Sequence, residues 1–122
     1  MDIQEIKDSE LEQVSGGAVV GCTPNTIYSR ARAAIGLPAG SFGDTSAFVS
    51  YCITGQHTRI GTTQTFMGWP TVMTPVQGNI CTNASYCGIY AGNGRMIYVS
   101  SAKGCVIEGN MAADMIVVRY AG

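Results

Sequence analysis

Five cysteines, Cys22, Cys52, Cys81, Cys87 and Cys105, and a single histidine, His57, are the side chains of this 122-residue chain best suited to covalent chemistry. A thiol becomes a strong nucleophile when a histidine or a helix N-terminus holds it as thiolate. Here His57 sits in the polar run Gln56-His57-Thr58-Arg59 and reads as a surface histidine without a function. No Cys-x-x-Cys and no cysteine–histidine spacing suggests zinc, so neither a metal nor a cofactor is expected. The remaining uses of the cysteines are pairing and packing. In an exported protein they imply one or two disulfides with at least one thiol left over, and each is equally suited to a small buried position.

The elements that must position these groups can be read from periodicity. Pro24-Asn25-Thr26 is a helix start, and Ile27, Ala31, Ala34 and Ile35 recur at helical spacing until Gly36-Leu37-Pro38 ends the run. After a loop over 39–43, Asp44 reads as the N-cap of a helix from Thr45 to Ile53, with Phe48, Val49 and Cys52 facing inward and Gly55 as its stop. Residues 56–77 show no clear period, and Gly68-Trp69-Pro70 marks a turn within them. Five short β-rich runs follow, 78–82, 85–91, 95–100, 105–108 and 115–120, separated by turns such as Gly92-Asn93-Gly94. Helices first and an antiparallel meander second predict an α+β domain. Within it, Cys52 lies two helical turns past Thr45 and should face the core, and Cys87 alternates to the face opposite Tyr86.

The first seventeen residues have a different character. Gly16-Gly17 is preceded by Val14, Leu11, Glu10 and Ile6 with polar residues between. This register resembles the double-glycine leader of bacteriocin and microcin precursors. In that family the apolar positions form one helix face, which docks in the peptidase domain of an ATP-driven exporter, and the two glycines thread its narrow cleavage site. The expected division is therefore a leader over 1–17 and one domain over 18–122, a length sufficient for one modest core. The leader carries five acids against Lys7, a net of −4, and the remainder a net of +3. A cationic product favours approach to anionic bacterial surfaces, and this charge is too weak to argue for nucleic-acid binding. No apolar run is long enough to span a bilayer, so the expected localisation is secreted, by the leader's route.

Two further stretches carry a second resemblance. Gly43-Asp44-Thr45-Ser46-Ala47-Phe48-Val49 is similar to the Asp-Cys-Ser-Gly-Phe-Val segment of the NlpC family, papain-like cysteine peptidases that cut peptidoglycan stem peptides. The run from Tyr86-Cys87-Gly88-Ile89-Tyr90 through Gly92-Asn93-Gly94 to Ser100-Ser101 is similar to that family's His-Val-Gly-Ile-Tyr-x-Gly-Asn-Gly-x-x-Ile-His-Ala-Ser. Gly78-Asn79-Ile80 stands where the family has a Gly-Asp-Leu strand, and the likeness extends over about residues 27–120. It implies a papain-like, NlpC-type domain with N-terminal helices packed on an antiparallel sheet of about five strands.

The resemblance also implies where a catalytic centre would lie, and what stands there departs from the family. Its cysteine, histidine and third polar residue correspond to Thr45, Tyr86 and Tyr98. A threonine hydroxyl needs a base, and a tyrosine with a pKa near 10 is a poor one. The expectation is a pseudoenzyme whose former cleft, lined by Thr45, Tyr86, Tyr98 and Trp69, binds without cutting, unless the tyrosines merely fill space left by the imidazoles. The function this implies is a secreted bacteriocin-like antibacterial protein that binds an envelope component or receptor of competing bacteria, with an immunity protein as a further partner. The alternatives are an active stem-peptide hydrolase using a relocated nucleophile, and a non-toxic exported binding or signalling protein.

Overall fold

The computed structural model describes residues 22–121. The leader positions Ile6, Glu10, Leu11, Val14, Gly16 and Gly17, and the cut after Gly17, lie outside the described residues. Helix α1 (Pro24–Ala34) begins where the Thr23 side chain accepts from the Thr26 N–H at 3.2 Å, with Pro24 in the first turn, where no intrahelical N–H bond is required. It buries Ile27, Ala31 and Ala34, whereas Ile35, expected in the same stripe, is its C-cap and 40% exposed. A 3-10 turn at Ala39–Ser41 leads to α2 (Thr45–Thr54). Asp44 caps α2 by accepting from the Ala47 N–H at 2.8 Å, and Gly55 closes it in the left-handed region at φ +78. The Arg30 guanidinium then donates to the carbonyls of Cys52 and Ile53 at 3.0 and 2.9 Å, so α1 supplies donors that the end of α2 lacks.

Helix α3 (Thr63–Met67) lies in the segment where the sequence shows no period. Five residues cannot display an amphipathic stripe, and only Phe66 is buried. A local bond makes the start visible in retrospect: the Thr62 N–H donates to Thr65 Oγ1 at 3.1 Å.

Five antiparallel strands form one sheet in the order β4-β3-β2-β1-β5. They are β1 (Ile80–Thr82), β2 (Cys87–Gly92), β3 (Arg95–Ser100), β4 (Cys105–Asn110) and β5 (Ile116–Val118). The α+β expectation holds, with shifted ends. Strand β2 starts at Cys87 because Asn83 Oδ1 accepts from the N–H groups of Ser85 and Tyr86, holding them in a turn. Strand β5 is short because its partner β1 offers only three residues. The Gly92-Asn93-Gly94 turn places Asn93 at φ 55 and Gly94 at φ 73, as a two-residue hairpin requires.

Register puts Val118, Ile80, Ile89 and Ile97 side by side on one face. All four are fully buried, in one core with Phe48, Val49, Cys52 and Ile53 of α2 and Ile27 and Ala31 of α1. Gly78 permits the closest approach: a Cβ there would stand 1.9 Å from the Pro24 carbonyl oxygen. Because β4 and β5 occupy opposite edges, residues 111–115 must cross the sheet. That crossing is tied down by the Met111 N–H on the Gly94 carbonyl at 2.9 Å and by Asn83 Nδ2 on Asp114 Oδ1 at 2.9 Å.

Candidate functional site

The N-terminus of α2 meets the ends of β2 and β3 at a cavity of about 470 Å³. Thr45 lines it from the first turn of α2, Tyr86 from the residue before β2 and Tyr98 from β3, joined by Ser85, Ser100 and Ser101. Helix capping fixes Thr45, the Asn83 turn fixes Tyr86, and the ladder fixes Tyr98 opposite Ile107. The two tyrosine rings stand 5.7 Å apart, tilted by 56°, a separation at which an aromatic pair is itself attractive.

The hydrogen bonds around Thr45 define its chemistry. Its Oγ1 accepts from the Cys87 N–H at 3.2 Å and faces the Cys87 thiol at 3.7 Å, which also lies 3.8 Å from Ser46 Oγ. With its lone pairs turned toward Cys87, the hydroxyl has its proton left to donate but its attacking lone pairs engaged, whereas a nucleophile needs a free lone pair and a base to take the proton. Burial pushes the Cys87 thiol up to about 11, against the lowering effect of its bonds to Thr45 and Ser46, so it is neutral at physiological pH. The Tyr86 phenol is raised above its ordinary value, first by burial and then by Tyr98 and Asp114, and a protonated phenol is no base. Asp44 is held below the usual carboxylate range, chiefly by Arg59, whose Nη2 lies 2.8 Å from Oδ2. Its other oxygen is committed to the Ala47 N–H.

The remaining sequence candidates lie elsewhere. Trp69 is not in the cavity wall; it packs 4.9 Å from Phe66 and 5.3 Å from Tyr120, beside α3 and β5. His57 stacks on Phe42 at 5.5 Å and lies tilted against Tyr51 at 4.8 Å, a setting its polar neighbours in sequence do not suggest. Cys52 is fully buried in α2, and burial drives its thiol far up. Cys81 is likewise pushed up to about 12 and Cys22 to about 11. All five cysteines are free thiols, in place of the expected disulfides. Cys81 and Cys87, on adjacent strands, pair with Gly88 and Thr82 respectively, so their side chains leave opposite faces of the sheet. Sequence reading missed Cys87 as the partner of Thr45 and the serine lining. Ser100 and Ser101 do fall within the second NlpC-like stretch, which was the available signal. Among the described residues no cluster of three or more histidine, cysteine, aspartate or glutamate side chains could hold a metal ion. No helix among them is long and apolar enough to cross a membrane.

The helices packed on a five-stranded antiparallel sheet have an NlpC-like fold, and comparison with solved structures agrees. No protein-family model matches the chain, and no curated protein matches it. The chain is similar to the peptidoglycan hydrolase RipB from Mycobacterium tuberculosis, with a TM-score of 0.63 at 20% identity over 79% of this chain and 63% of that one. It is similar to a mutated form of the resuscitation promoting factor interacting protein RipA, with a TM-score of 0.64 at 20% identity over 80% and 61% of the two chains. It also resembles the P60 domain of antigen MAP1204 from M. avium subspecies paratuberculosis, with a TM-score of 0.62 at 16% identity over 79% and 93%. The chain spans a little over three fifths of the length of the RipA and RipB chains. What these likenesses establish is the fold.

Proposed function

We propose that residues 18–122 act as a secreted, bacteriocin-like antibacterial protein whose NlpC-like cleft binds a component of the target envelope without cutting it. Residues 1–17 serve as a double-glycine leader removed by an ATP-driven exporter, and the producing cell is protected by an immunity protein. The observation that carries the reading is the cleft's composition. Thr45, Tyr86 and Tyr98 line one cavity at a helix N-terminus, where the resemblance places a cysteine, a histidine and a third polar residue. None of the three is a nucleophile or base at neutral pH.

The thiol that contacts Thr45, Cys87, is buried, neutral and without a histidine, which counts against a hydrolase with a nucleophile relocated to it. The decisive experiment incubates the secreted product with purified peptidoglycan sacculi and with sensitive bacteria. Retention on sacculi, growth inhibition and no soluble stem-peptide fragments are expected, unchanged by a thiol-blocking reagent. Fragment release abolished by Cys87→Ala or His57→Ala in a folded protein would establish the hydrolase instead. Retention without inhibition would leave an exported binding protein.

A further inference from the structure

Among the described residues the cleft is lined by hydroxyls and aromatic rings, with no cation. Thr45, Ser85, Ser100 and Ser101 contribute hydroxyls, Tyr86 and Tyr98 contribute rings, and Asp44 is the one charged residue among the described residues of the wall. The start of α2, otherwise a natural anion site, is already taken by its own carboxylate, since Asp44 Oδ1 holds the Ala47 N–H at 2.8 Å. The counter-cation Arg59 bonds Asp44 and is not part of the wall. A carboxylate-bearing ligand would therefore lose its hydration beside a carboxylate whose cation, Arg59, is already engaged outside the wall.

The backbone near Tyr98 adds a second, independent observation. A Cβ at Gly109 would come within 3.3 Å of the Tyr98 ring, and one at Gly88 within 3.0 Å of Tyr98 Cβ and 2.7 Å of the Ile97 carbonyl oxygen. Glycines on both flanking strands thus leave the Tyr98 ring room to lie over β4, supported from below and only partly covered. A partly exposed ring on a glycine floor, next to a second ring and a donor hydroxyl, suits a ligand with an apolar C–H face and an edge of oxygen acceptors.

Building on the envelope-binding reading above, we propose that the cleft recognises an uncharged saccharide, the glycan part of a wall polymer. Its C–H face packs on Tyr98 and Tyr86 and its ring and acyl oxygens accept from Thr45 and the serines. The stem peptide, with its free carboxylates, is excluded by the missing cation. The cavity, at about 470 Å³, falls within the range of sites that enclose a small ligand and fits a short glycan segment rather than an extended chain.

Calorimetric titration of the full chain with a soluble β-1,4-linked N-acetylglucosamine tetramer, and separately with a soluble stem pentapeptide, tests this. The tetramer is expected to bind and the pentapeptide not. Tyr98→Ala should weaken the tetramer about tenfold or more and Tyr98→Phe, which keeps the ring, by less. Thr45→Val, which removes the donor and keeps the shape, serves if Tyr98→Ala melts early. Preference for the pentapeptide would overturn the saccharide assignment and leave envelope binding intact. Tetramer binding unaffected by Tyr98→Ala and Thr45→Val in folded protein would overturn the assignment to this cleft. Failure to retain the protein on intact sacculi would overturn both readings.

Discussion

Cys87 decides what position 45 can be. Its N–H and thiol both face Thr45 Oγ1, at 3.2 and 3.7 Å, and a sulfur in place of that oxygen would lie in van der Waals contact with Sγ, from where side-chain rotation could bring the two to the ~2.05 Å of a disulfide. The NlpC-like stretch has a valine where this chain has Cys87, so a threonine at 45 and a cysteine at 87 are mutually compatible where two cysteines are not. Rebuilding the family's constellation with Thr45→Cys, Tyr86→His and Tyr98→His is therefore expected to fail while Cys87 remains, because the new thiol pairs with it under air. Counting reactive thiols after oxidation should show two lost in the triple variant and none once Cys87→Val is added. Any stem-peptide cleavage should appear only in the quadruple variant. Retention of every thiol in an oxidised, folded triple variant would mean that the two positions are not neighbours in solution.

At the level of elements, Arg30 and Glu108 join what the chain places far apart. Arg30 closes the end of α2 through two carbonyls, so Arg30→Ala leaves those acceptors without their charged donor. The expected loss is about 2 kcal/mol, measured by urea unfolding. Glu108 on β4 pairs with Arg95 on β3 at 2.8 Å and with Arg32 on α1. Its carboxyl is held below the ordinary range, first by Arg95 and then by Arg32. A carboxyl depressed in the folded state stabilises above its unfolded pKa, and that stabilisation is lost as pH falls through the folded value. The melting temperature should therefore decline below about pH 4, and Glu108→Gln should flatten part of that decline at low salt. These pairs are partly exposed, so added salt should weaken the effect. The same elements show what sequence makes legible. Pro24, Asp44 and Gly55 mark helix ends by local rules, and short β-rich runs between turn residues mark the sheet. Arg30 on the α2 carbonyls, residue 22 positions away, and the crossing over 111–115 depend on tertiary placement that no local period encodes.

On the scale of the whole molecule, the cysteines and the leader are read by one measurement. The core of the described domain is closed by hydrophobic contact between three helices, α3 through Phe66, and one sheet face, with Cys52 and Cys87 inside it. Cys81 is equally buried, on the sheet face opposite Cys87. A bridge between Cys81 and Cys87 would require side chains on opposite faces to meet, which backbone geometry forbids without breaking the β1–β2 ladder. Buried neutral thiols are also slow to react. A product secreted into an oxidising medium should therefore keep these three thiols, and the free, only partly buried Cys22 and Cys105 are expected to stay reduced with them. If residues 1–17 are a leader, the extracellular protein starts at Ala18, and a bulky replacement of Gly16 or Gly17 blocks its appearance. Mass spectrometry of the secreted product, denatured and alkylated without reductant, is expected to show residues 18–122 with all five cysteines modified. Intact Met1 on active extracellular protein would remove the leader from this account. Fewer than five alkylations would show that export oxidises the domain into a packing different from the one described, with the Cys87 contact to Thr45 as the first casualty.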